Sequence, residues 1–248
     1  MSTSEKPHPE HGAPEKSDTL NSSDRDANFQ VIQRAVLGLW EVVSDLTSIQ
    51  HPRRKRYSVT IFGSSRLRAD SPQYDGVRHL AQELTVMGCD IVTGGGPGLM
   101  QAANEGSVSA DPTNQAQSIG IRMDLELEQH TNPFVEKVYQ HRTFFSRLHQ
   151  FVLLSDAFVV VPGGIGTTLE TLMIWQLLQA RKLHNTPLIL VGEMWFDLVA
   201  WAEIYMVKAM PQLAHPMDMQ IPRCVETFDD AVALLRESHA VWERQSES

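Results

Sequence analysis

From Tyr57 onward the chain alternates between two kinds of segment, and this alternation constrains the fold more than any other feature. "YSVTIFG", "CDIVTGGG", "AQSIGIRM", "AFVVVPGG" and "TPLILVG" are short apolar runs, and "EKVYQH" adds a short further strand. Between them lie helical stretches: Tyr74 to Met87, "GLMQAANEG" with Gly106 as its C-terminal cap, "FFSRLHQFVLLSD", "TTLETLMIWQLLQAR", Trp195 to Met210, and Asp229 to Arg244. Near-continuous apolar strands are buried on both faces, and a helix between successive strands makes the sheet parallel. The pattern predicts an α/β fold, a Rossmann-like doubly wound parallel sheet with helices on both faces, in a single domain over residues 57–245. Such sheets bind ligands beyond the carboxyl ends of the strands, near the point where strand order reverses.

The remainder bounds what the domain can do. Residues 1–27 are Ser, Pro, Glu, Asp and Lys with almost nothing apolar, which predicts a disordered tail. Within residues 28–50, "FQVIQRAVLGLWEVVSDL" has apolar residues at helical spacing and predicts an N-terminal helix, followed by the basic connector "HPRRKRY". A formal net charge of -9 speaks against a broad nucleic-acid surface. No apolar run approaches the roughly 20 residues that span a bilayer, so no membrane partner is expected. The N-terminus lacks the apolar centre of a signal peptide, and Cys89 and Cys224 have no metal-ligand spacing; a reducing cytoplasm is the expected location. The ten histidines show no HExxH pattern, so no metal is expected.

Three glycine clusters stand at predicted strand ends: "IFGSSR" with Ser64 and Ser65, "VTGGGPGLM" with Gly95 and Gly96, and "VVPGGIGTTLE" with Gly163, Gly164, Gly166 and Thr167. Glycine lets backbone N–H groups approach a ligand, and a helix N-terminus adds unpaired donors and partial positive charge. Any one cluster reads as an ordinary strand-to-helix turn. Three in one sheet point to a nucleotide or sugar phosphate. Neither G-x-x-x-x-G-K-[ST] nor a G-x-G-x-x-G after the first strand is present, which disfavours ATP hydrolysis and dinucleotide redox chemistry.

Two charged residues stand out. Thr167 and Glu170 have the spacing of a capping box, a role that leaves the preceding Pro-Gly-Gly unexplained. Arg147 interrupts the helical stripe of Phe144, Leu148 and Phe151. An arginine there pairs with an acid such as Asp156, sends its head to water along an apolar stem, or meets a ligand.

"PGGIGTTLE" matches the PGGxGTxxE signature of the LOG family, also called lysine-decarboxylase-like, and "IFGSS", "GGGPGLM", "FFSR" and "SDAFVVVPGG" resemble its other landmarks. The resemblance runs from about Ser58 to Val191. It implies hydrolysis of the N-glycosidic bond of a purine ribonucleoside 5′-monophosphate, AMP or a cytokinin riboside monophosphate, giving free base and ribose 5-phosphate. It also implies Arg147 and Glu170 as catalytic residues, with Gly163, Gly164, Gly166, Thr167, Gly95, Gly96, Ser64 and Ser65 around the substrate. No cofactor is implied, and a homodimer is. Leu148 departs from the family's Arg-Lys pair. Decarboxylation through pyridoxal phosphate requires a Schiff-base lysine, and Tyr139 to Arg181 contains no lysine. Two other readings remain open on this fold, a nucleotide- or cofactor-binding protein without chemistry and a DNA-handling protein.

Overall fold

The computed structural model describes residues 55–124 and 130–246. The expected tail and N-terminal helix, within residues 1–50, lie outside the described residues. Seven strands form one sheet: β1 (Ser58–Phe62), β2 (Asp90–Thr93), β3 (Ser118–Met123), β4 (Lys137–His141), β5 (Ala157–Val160), β6 (Leu188–Val191) and β7 (Pro222–Val225). Their spatial order is β4-β3-β2-β1-β5-β6-β7, and every adjacent pair is parallel. The doubly wound expectation holds. Order reverses between β1 and β5, where Phe62 aligns with Val160. β7, "PRCV", carries an arginine and a proline in four residues and has no apolar run to announce it.

The helices are α1 (Pro72–Val86), α2 (Leu99–Ala110), α3 (Phe144–Leu154), α4 (Ile165–Gln179), α5 (Glu193–Ala202) and α6 (Phe228–Ser246). Strand alternation divides the core in two. Val59, Ile61, Ile91 and Val159 face Leu80, Leu84, Leu99 and Leu235 of α1, α2 and α6. Phe62, Val92, Phe158 and Val160 face Phe151, Trp175 and Trp195 of α3, α4 and α5. Burying each such side chain contributes about 1.5–3 kcal/mol before entropy is counted.

Two expectations need correction. Gly106 is not a C-terminal cap, since α2 continues to Ala110. It is where α1 and α2 touch: a Cβ there would lie 2.2 Å from the Arg78 carbonyl oxygen. The helix expected from Trp195 to Met210 stops being α-helical at Ala202 and continues as a π-turn over Glu203–Val207.

Candidate active site

The loops after β1, β2 and β5 lock into one ledge at the strand-order reversal. Ser64 N–H donates to the Pro162 carbonyl at 3.1 Å, and Leu99 N–H donates to the Ser64 carbonyl at 2.8 Å. Gly98, with φ 70°, sits so close that a Cβ would fall 2.4 Å from the Ser64 oxygen. Ser64 and Gly163 are half-buried there, and Ser65, Gly164 and Gly166 are exposed. Gly164 and Gly166 face open space.

α4 begins with Gly164 as its N-cap residue and no side-chain cap, so the capping-box reading of Thr167 and Glu170 is overturned. Thr167 lies in the first turn, buried against Gly163. Glu170 is a turn further in, too far along the helix to reach back to its start. The N–H groups of the first turn have no carbonyls behind them and point toward the ledge.

Glu170 instead meets Arg147. Arg147 Nη1 donates to Glu170 Oε1 at 2.8 Å, and the side chains are 16% and 18% exposed. The Asp156 alternative is excluded, because that carboxylate accepts the Ser58 N–H at the opposite end of β1. Three further contacts fix the guanidinium. Its Nε donates to the Ile121 carbonyl at 2.9 Å, its carbon lies 5.1 Å from the centre of the Phe151 ring, and Gly94 presses against its edge. A Cβ on Gly94 would lie 2.6 Å from Nη2. Gly94 is not among the expected site residues; its signal in the sequence is that it opens the "GGG" run, one glycine more than a simple turn requires.

A cavity of about 50 Å³ adjoins the pair, lined by Phe144, Leu148, Phe151, Leu169 and Met173. Leu148, at the family's lysine position, is buried in this apolar wall. Burial pushes the Glu170 carboxyl above its ordinary range, and the charge and hydrogen bond of Arg147 pull partly the other way. His141, at the end of β4, is pushed below its ordinary value by burial first, then by Arg147 and His149.

Gly95 does not offer its amide to the ledge. Its N–H donates to Thr93 Oγ1 at 2.9 Å and its carbonyl accepts from Asn132 N–H at 3.0 Å, both inside the fold. The Gly96 carbonyl is likewise taken, by Asn132 Nδ2 at 2.9 Å. These hydrogen bonds hold the loop carrying Gly95 and Gly96 from its buried side. Among the described residues no cluster of His, Cys, Asp and Glu has the makings of a metal site, and no helix is long and apolar enough to cross a membrane.

Residues 100–235, more than half of the chain, match the family described as possible lysine decarboxylase. The chain belongs to this family. The lysine-decarboxylase-like match spans α2 through most of the sheet and includes Arg147, the PGG turn and Glu170. No lysine lines the cavity beside them. The chain is also 29% identical over 126 residues to the pyrimidine/purine nucleotide 5′-monophosphate nucleosidase of Escherichia coli K12, a stretch covering 48% of this chain and 28% of that protein. The chain thus matches under a third of that relative's length. Among solved structures, the molybdenum cofactor carrier protein of Chlamydomonas reinhardtii aligns with a TM-score of 0.56 at 17% identity, covering 75% of this chain and 99% of its own. The molybdenum cofactor binding protein of Rippkaea orientalis aligns with a TM-score of 0.56 at 18% identity, covering 75% and 98%. At such identities these two speak for the fold alone.

Proposed function

We propose that this protein hydrolyses the N-glycosidic bond of purine ribonucleoside 5′-monophosphates, releasing free base and ribose 5-phosphate. The observation that carries the reading is the 2.8 Å pair between Arg147 and Glu170, mostly removed from water and set beside the glycine ledge. Family membership and the nucleosidase relative support it. The C1′–N9 bond breaks with its electrons leaving on the purine, and the ribose passes through a cation resembling an oxocarbenium ion. Glu170, ionised, faces that charge and takes a proton from the attacking water, whose oxygen bonds to C1′. The departing base takes a proton from solvent, and Glu170 releases to solvent the one it took from the water. Arg147 orients the carboxylate and offsets its charge. The first amides of α4, with Gly163, Gly164, Gly166 and Thr167, receive the 5′-phosphate. Ser65 and the exposed ring of Phe144 flank the ligand.

Two observations favour a second reading, a binding protein without chemistry. Arg147 and Glu170 already neutralise each other, and the cavity beside them is far below the roughly 300–1,000 Å³ of ordinary ligand pockets. A ligand would then rest on the open ledge and be carried, as the name of the molybdenum cofactor carrier protein says of that protein. Product analysis separates the two. The enzyme reading expects free base from one or more of AMP, GMP or a cytokinin riboside monophosphate, and none from adenosine, which lacks the phosphate. Binding of AMP without turnover supports the carrier.

The proposal includes a homodimer in a reducing cytoplasm. Ile165 is 88% exposed, and Leu169 and Leu172 of α4, Phe144 and Phe145 of α3, and Trp201 of α5 are also exposed. Apolar side chains concentrated on the helices that carry the site suit a second copy of the chain as their cover.

A further inference from the structure

Beneath the site lies a buried amide network that the proposed chemistry does not use. Asn104, Asn132, Thr93 and Ser118 are all buried. Thr93 Oγ1 donates to Asn104 Oδ1 at 2.7 Å while accepting the Gly95 N–H at 2.9 Å. Asn132 Nδ2 donates both to the Gly96 carbonyl at 2.9 Å and to Asn104 Oδ1 at 3.0 Å. Asn132 Oδ1 accepts the Phe134 N–H at 3.1 Å, and Asn132 N–H donates to the Gly95 carbonyl at 3.0 Å. Asn104 Nδ2 donates to Ser118 Oγ at 2.9 Å, which passes its own proton to the Phe134 carbonyl at 2.7 Å.

Backbone partners fix the Asn132 amide, and its Nδ2 in turn fixes Asn104 by taking the Asn104 oxygen. Gly96 offers only a carbonyl and Phe134 only an N–H to Asn132, so nitrogen and oxygen cannot be exchanged. Both Nδ2 protons of Asn132 and its oxygen are consumed. Such a network has one low-energy arrangement, and each lost partner leaves a buried group unsatisfied. It grips the glycine loop on the side away from solvent. On the other side, Gly94 meets the Arg147 guanidinium without room for a Cβ.

We infer that Asn132, Asn104 and Thr93 form a clamp that positions Arg147, acting through the Gly94–Gly96 loop and touching no ligand. The inference rests on the reading of Arg147 and Glu170 as the reacting pair. Its parts come from β2, α2 and the segment between β3 and β4, so the clamp also ties that segment to the site.

Asn132→Asp tests it, because a carboxylate of the same shape cannot donate to the Gly96 carbonyl or to Asn104. Thr93→Val removes the hydroxyl at nearly constant shape, and Thr93→Ser restores it. The readouts are the carboxyl titration of Glu170 by carbon NMR, assigned by its absence in Glu170→Gln, together with kcat on AMP and the melting temperature. His141 on β4, which feels the charge of Arg147, and His149 on α3, which feels His141, are followed by their own ring signals. A slackened Arg147 compensates Glu170 less. Asn132→Asp and Thr93→Val are therefore expected to move the Glu170 titration to higher pH and lower kcat by about ten- to a hundredfold, with both effects reversed in Thr93→Ser. A lower melting temperature with the Glu170 titration unmoved overturns the clamp, since that is what a purely structural network gives. If Asn132→Asp does not fold, the two Thr93 variants decide alone. If the wild type releases no base, the hydrolase reading fails, and the titration by itself supports or overturns the clamp.

Discussion

Arg147 Nη1 lies 2.8 Å from Glu170 Oε1, although the two residues belong to the helices that precede and follow β5 in the chain and stand 23 positions apart. An ion pair drawn this far out of water adds little net stability, while removing one partner leaves a buried charge at a cost of about 3–5 kcal/mol. Its placement at the strand-order reversal ties that cost to a role in ligand chemistry.

The raised Glu170 titration makes both stability and activity depend on pH. The folded state holds this proton more tightly than the unfolded chain, whose carboxyl has the ordinary value of 4.5. The contribution is therefore full below that value and is lost as pH rises through the higher folded value. Denaturation measured at a series of pH values should show this increment in the wild type and not in Glu170→Gln. Because the ionised form acts, the acid limb of kcat/KM should lie above the ordinary carboxylate range. A limb at or below pH 4.5 would place another group in that role.

Two alanine substitutions should separate catalysis from folding. In Gly94→Ala the new Cβ meets only flexible side-chain ends, Arg147 Nη2 at 2.6 Å and Met100 Sδ at 2.7 Å. The fold should survive within about 1 kcal/mol, and turnover should fall by about ten- to a hundredfold as the guanidinium shifts. In Gly98→Ala the clash is with backbone and φ is 70°, so about 2–4 kcal/mol of stability should be lost. Melting curves and kcat, measured together, test the contrast.

Leu148→Lys restores the family's Arg-Lys pair in a wall that also contains Glu170. A second cation there should draw the Glu170 titration down and shift the acid limb to lower pH, with some stability lost because Leu148 is buried. An unmoved acid limb would mean that the ammonium escapes to water instead.

Much of this architecture was legible in the sequence because strands buried on both faces and amphipathic helices leave strong periodic signals. The parallel sheet and the glycine clusters at its strand ends followed from them, while the place of the reversal, between β1 and β5, needed the strand order itself. β7 was not legible, since Pro222 and Arg223 break its apolar pattern, and Gly106 read as a cap because close helix packing looks the same in sequence. Arg147 could be singled out as a charge in an apolar stripe. Its partner could not be read from spacing, because Asp156 is nearer in sequence; the resemblance, which implies Arg147 and Glu170 together, pointed to Glu170, and the 2.8 Å contact decides for it. Asn132 gave no signal, as a polar residue in a connecting segment shows no burial.

The exposed apolar side chains of α3 and α4 predict self-association. Light scattering at micromolar concentration should give twice the 27.8 kDa chain mass. Leu169→Glu together with Leu172→Glu should give the single-chain mass, because a carboxylate cannot be buried unpaired in such a contact. A wild-type monomer would contradict the dimer.

The central claim, that the Glu170 carboxylate works on the sugar of a nucleotide, is tested most directly by adenine release from AMP. The wild type should yield adenine and ribose 5-phosphate in equal amounts, and Glu170→Gln, folded as judged by circular dichroism, should be slower by about 10²–10⁴-fold. Adenine appearing at the wild-type rate from Glu170→Gln, or no base from the wild type with any nucleoside monophosphate, would contradict it.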